Sequence, residues 1–135
     1  MSPMDALLTL EARQTLEALS LGRSPVSAGI LLGHKRGPRF IIEKALPAGR
    51  GYYPAQPTYL RLSALFPDKV IGFFSFASQT GLAKVAPPPF AVGKVFLCPK
   101  VGAKGRLSFR AFIPDFAQRF ILRPVRMAKF KGDRS

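Results

Sequence analysis

The chain is poor in the residues that catalysis uses most. Its 135 residues include one histidine, one cysteine and no tryptophan, and seven acids stand against 21 lysines and arginines. The lone Cys98 cannot close an internal disulfide, which fits a reducing compartment and predicts a cytoplasmic protein. With only His34 and Cys98 as soft ligands, no Cys/His spacing suits zinc, and no cofactor is expected. The apolar runs fall far short of the roughly 20 residues that span a bilayer, so no membrane is expected. The N-terminal MSPMDALLTLEARQ carries Asp5 and Glu11 and no basic stretch before an apolar core, so it does not read as a signal peptide.

What is present points to one folded domain. Apolar residues make up 47%, enough for a core, and twelve phenylalanines suggest one rich in large rings. Thirteen prolines and 12 glycines imply many turns and short elements rather than a helical bundle. The formal charge of +14 would draw nucleic acid, an anionic membrane or an acidic protein. Charge of that size also serves solubility, and by itself it gives attraction without a site.

Ser2, Pro3 and Asp5 have the chemistry of a helix start, and Leu8, Ala12, Leu16 and Leu19 follow at helical spacing until Gly22 and Pro25. Val26–Gly33 is an almost continuous apolar run that suits a strand buried on both faces, and Arg39–Leu46 returns as its hairpin partner. Residues 47–57 form a loop, and Thr58–Phe66 a short helix. Lys69–Phe76 is a second core strand, and residues 77–91 form a loop with Pro87-Pro88-Pro89. Val92–Cys98 and Arg106–Ile113 are strands. The second alternates cleanly, with Arg106, Ser108 and Arg110 on a wet, basic face. Residues 115–126 fit a helix or an edge strand, with Pro124 favouring the edge. The organisation expected is one α+β domain over 1–118 and a basic tail over 119–135.

Three stretches carry a resemblance. GILLG (Gly29–Gly33) resembles the first strand of the MPN domain, whose catalytic branch is the JAMM metalloproteases. KVIGFFSF (Lys69–Phe76) is similar to that family's metal-site strand, and KVFLCPKVGAKGRLSFRAFI (Lys94–Ile113) to its later hairpin. The resemblance implies an α+β fold: a mixed, mostly antiparallel curved sheet with an N-terminal helix and one or two further short helices. It also implies a zinc site built from two histidines, a downstream aspartate and a glutamate base, with a serine beside them. At those positions this chain has Ser75, Ala77, Pro88, Val26 and Val85 in turn. Hydroxyl, methyl, pyrrolidine and isopropyl groups do not hold zinc. The implied function is therefore a metal-free, non-catalytic interaction or scaffold domain, pairing with itself or another protein.

Two other functions stay open. The basic residues Lys35, Arg36, Arg39, Arg50, Arg119, Arg123, Arg126, Lys129 and Lys131 are candidate contacts to an anionic partner, including nucleic acid. Against that stands an ordinary solvated surface with no nucleic-acid fingerprint. Tyr52 and Tyr53 are candidate partner-binding aromatics, or a lid over the core. An enzyme of another class at the same cleft is the weakest reading, because Ser75 and Ser78 have no adjacent base. Cys98, between Leu97 and Pro99, reads as a small buried hydrophobe.

Overall fold

The structure, a computed structural model, describes residues 4–21, 28–48, 51–77, 81–82, 84–102, 107–116 and 120–128. The elements in chain order are β1 (Asp5–Leu8), α1 (Leu10–Leu21), β2 (Ala28–Arg36), β3 (Arg39–Pro47) and α2 (Gln56–Leu65). There follow β4 (Val70–Ser75), β5 (Val95–Val101), β6 (Leu107–Phe116) and β7 (Phe120–Ala128), with one 3-10 turn at Pro89–Ala91.

The departure from expectation begins at the N-terminus. Asp5–Leu8 is a strand, not the first turn of a helix. It lies between β3 and β7, parallel to both, with Asp5 opposite Arg39 on one side and Arg126 on the other. Ala6 and Leu8 then face inward and are buried. Thr9 makes the break to the helix. Its hydroxyl donates to the Glu43 carbonyl at 3.1 Å and accepts the Ala12 N–H at 3.3 Å, the geometry of an N-cap.

With β1 in place the sheet closes. Among the described residues the strands run in the order β1-β3-β2-β4-β5-β6-β7, and β7 returns to β1. The expected α+β architecture with an open curved MPN-like sheet is thus corrected to a closed, mixed barrel of seven strands with two short helices. The physical reason is that both chain ends supply strands. Phe120–Ala128, inside the stretch read as a basic tail, pairs with β6 and with β1. Pro124 sits opposite Phe112, where its missing N–H is harmless because β1 pairs with β7 only from Arg126 onward.

Two apolar layers form around this ring. Inside it lie Leu31, Phe40, Ile42, Ile71, Phe74, Val95, Leu97, Ala111, Ile113 and Val125. Ala12 and Leu16 of α1 join them at 0% exposure, so the helix lies across the barrel end where β1 runs out. Outside β2, β4 and β5 sits a second layer of Ile30, Leu32, Val70, Phe73, Phe96 and Cys98. It is covered by Tyr52, Tyr53, α2 and Phe90. These strands are buried on both faces, which is why they read as continuous apolar runs.

Ser75 ties the outer loop to the barrel. Fully buried at the end of β4, its hydroxyl donates to the Gly51 carbonyl at 2.7 Å and accepts the Ala77 N–H at 3.1 Å. Ser75→Ala leaves both groups without this partner and should cost about 1–2 kcal/mol in urea denaturation. A loss below about 0.3 kcal/mol would show that the latch carries no weight.

Candidate anion-binding surface

The positions implied by the zinc-site resemblance do not converge on chemistry. Ser75 is spent on backbone hydrogen bonds, and Ala77 is half-buried beside it. Pro88 precedes the 3-10 turn, and Val85 is exposed on a cleft of about 230 Å³ with Leu82, Lys84, Pro87 and Leu122. Val26 lies outside the described residues. Among the described residues no three of His, Cys, Asp and Glu gather where they could share a metal ion. His34 bonds Glu43 at 2.9 Å, on exposed strand surface away from Ser75.

Tyr52 and Tyr53 belong to the outer aromatic layer. The Tyr53 ring meets Phe96 edge-on at 5.1 Å and Phe73 at 6.0 Å, while Tyr59 stacks on Phe90 at 4.2 Å. Burial, and then the neighbouring Cys98, push the Tyr53 phenol up to about 12, and burial alone pushes the Cys98 thiol to about 11. Both groups are neutral at physiological pH, so the Cys98 thiol is no nucleophile. Among the aromatic side chains described, none is in the open; each is at least half-buried.

The opposite side of the barrel carries charge. Residues directly opposite on paired strands share a sheet face, so the register can be followed round the barrel. Arg36 of β2 pairs with Arg39 of β3, Arg39 with Asp5 of β1, and Asp5 with Arg126 of β7. The β6–β7 ladder ends at the Ala111–Val125 pair, and its register continued by one step sets Arg110 of β6 across from Arg126. Arg110 is in turn opposite Cys98 of β5, where the aromatic cover begins. Alternation explains the outward direction: Ala111, Val125, Ala6 and Phe40, one residue along each strand, are buried in the interior. The result is one outward row, Arg110–Arg126–Asp5–Arg39–Arg36. At a strand spacing of roughly 4.8 Å it spans about 19 Å along the sheet.

Asp5 is the pivot of this row. Arg39 donates from Nε to Oδ1 at 2.8 Å and from Nη2 to Oδ2 at 2.9 Å, a two-bond fork. Arg126 Nη2 stands 3.8 Å from Oδ2 on the other side. The Arg39 hydrogen bonds hold the Asp5 carboxyl below its ordinary 3.8, against the upward pull of burial, and the charges of Arg39 and Arg126 add to the lowering. A depressed carboxyl pKa stabilises the fold above that value, so the pairs are intact at neutral pH and lost only in stronger acid. Arg36, Arg110 and Arg126 remain exposed.

Of the candidate contacts, the structure brings Arg36, Arg39 and Arg126 into this row. Lys35 points elsewhere, its Nζ 5.1 Å from the centre of the Phe40 ring. Arg123 is held by Asp115 at 2.6 Å. Arg50, Arg119, Lys129 and Lys131 lie outside the described residues. Two members went unrecognised. Arg110 shows in the sequence only on the wet face of an alternating strand, and Asp5 only as part of a helix start.

No family model and no curated protein matches the sequence. Among solved structures, protein DSY2949 from Desulfitobacterium hafniense is similar in fold, with a TM-score of 0.62. The alignment covers 93% of this chain and 94% of that one at 13% identity, which establishes shared architecture alone. The MPN and JAMM resemblance is overturned by this neighbour together with the closed barrel. GILLG and the core of KVIGFFSF lie on barrel strands buried on both faces, and the third stretch includes β5 and a β6 whose Ser108 and Arg110 are exposed; none carries a family signature. No helix among the described residues is long and apolar enough to cross a membrane.

Proposed function

We propose that this chain is a non-catalytic binding module for the phosphate backbone of nucleic acid, engaged without base preference in the cytoplasm. The arginine row carries the reading. Every cation in it is arginine, whose planar fork matches phosphate oxygens in pairs, whereas a lysine offers a point charge. The row's four arginines against one aspartate leave +3 on one strip of surface.

Two further observations favour phosphate over an acidic protein. Protein interfaces centre on an apolar patch, and of the exposed large apolar side chains described only Met4 adjoins the row, while Leu10, Leu21, Leu60, Leu65 and Val85 lie on other elements. The row also bends with the barrel, so a flexible single strand follows more of it than a flat partner does. Every aromatic side chain described is at least half-buried, which limits base stacking and the modest base preference that stacking strength gives. The scaffold reading retains scattered exposed apolar side chains, Leu10 and Leu21 on α1 and Leu60 and Leu65 on α2 among them, of the kind found singly on many surfaces.

A salt series on single-stranded oligothymidylate and oligoadenylate tests this. Three or four phosphate contacts predict that affinity falls roughly 20- to 50-fold between 50 and 200 mM salt, equally for both sequences. Binding that ignores salt, or that is absent at 50 mM, would overturn the reading and return a protein partner to first place.

A further inference from the structure

We infer that Asp5 is a positioning residue for anion binding: its carboxylate fixes the guanidinium groups of Arg39 and Arg126 on either side of it. The inference rests on the phosphate-binding function proposed above and adds a role opposite to the one its charge suggests. Asp5 is negative and sits in the middle of a surface meant for an anion, so by charge alone it should weaken binding. Its geometry argues otherwise. The side chain is only 11% exposed, so a ligand meets the arginines and barely touches the carboxylate.

Both carboxylate oxygens are engaged by Arg39, through Nε and one terminal nitrogen. The other terminal nitrogen takes no part in that fork, and Arg126, 75% exposed, has its Nη2 within 3.8 Å of the carboxylate. A free arginine loses rotamer entropy when it grips a phosphate. Arg39 has already lost it, because the aspartate holds the chain in place. Asp5 is itself held on a four-residue strand hydrogen-bonded on both sides, so the clamp is part of the barrel and not of a loop.

The test opposes charge to positioning. Asp5→Asn raises the formal charge by one, so a surface governed by charge alone would bind oligothymidylate more tightly. Positioning predicts about fivefold weaker binding and a shallower salt slope, because about one phosphate contact is lost. Asp5→Glu keeps the charge and moves the carboxylate by one methylene, out of register with the Arg39 fork, and it should weaken binding to a similar extent with the same change in slope. This second variant answers the question even if Asp5→Asn fails to fold. Equal or tighter binding by either folded variant would overturn the role of Asp5 while leaving phosphate binding in place. Salt-insensitive binding by the unmodified chain would instead remove the underlying reading.

Discussion

Gly72→Ala should cost the barrel about 3–5 kcal/mol, a large share of the roughly 5–15 kcal/mol that holds a domain folded. A Cβ at this position would stand 2.2 Å from the Val95 carbonyl oxygen and 2.5 Å from Val95 Cγ1. The oxygen belongs to the backbone of β5, the partner strand, so it cannot swing aside as a side chain would. Relief requires separating β4 from β5, which are joined in parallel by only three residue pairs. Those strands deliver Phe73, Phe74, Phe96 and Leu97, all nearly or fully buried, to the two apolar layers. A methyl group therefore costs overpacking of roughly 1–3 kcal/mol and ladder hydrogen bonds at about 1 kcal/mol each. Urea denaturation measures the sum. A loss below about 1 kcal/mol would mean that the β4–β5 contact is looser than drawn.

How much of this was legible in the sequence varies along the chain, for physical reasons. β3, β4 and α2 fall within a few residues of their expected places because their signals are local: an apolar run, a turn, a proline. β1 was illegible because Ser2, Pro3 and Asp5 have the chemistry of a helix start. The residues that make Asp5 part of a strand, Arg39 and Arg126, lie far away in sequence. Closure was missed for the same reason, since it depends on β1 and β7 finding each other. The false family resemblance has a related cause. Strands covered on both faces spell similar strings in unrelated folds, and GILLG and KVIGFFSF are buried inside by the barrel core and outside by the aromatic layer. That Ser75, Ala77 and Pro88 stand where the resemblance places metal ligands is read from the sequence directly, without the fold. The arginine row needed the register of five strands.

The row also separates placed charge from total charge. A chain at +14 binds any polyanion weakly wherever its cations are. Removing Arg36, Arg110 and Arg126 together takes away three exposed forks from one strip, at roughly 1 kcal/mol each, or about 100-fold in affinity. Removing Lys44, Arg61 and Lys84, which are equally exposed but stand outside the row, lowers the formal charge by the same three units. Neither set touches the buried core, so both variants should keep the stability of the parent within about 1 kcal/mol.

The most direct measurement is therefore the affinity of these two triple alanine variants for single-stranded oligothymidylate at 50 mM salt, with the salt slope of each. The arginine row predicts about 100-fold weaker binding and a nearly flat slope for Arg36→Ala/Arg110→Ala/Arg126→Ala. For Lys44→Ala/Arg61→Ala/Lys84→Ala it predicts a change of less than about threefold. Equal losses in the two variants would contradict it and show that the barrel's charge acts only in bulk.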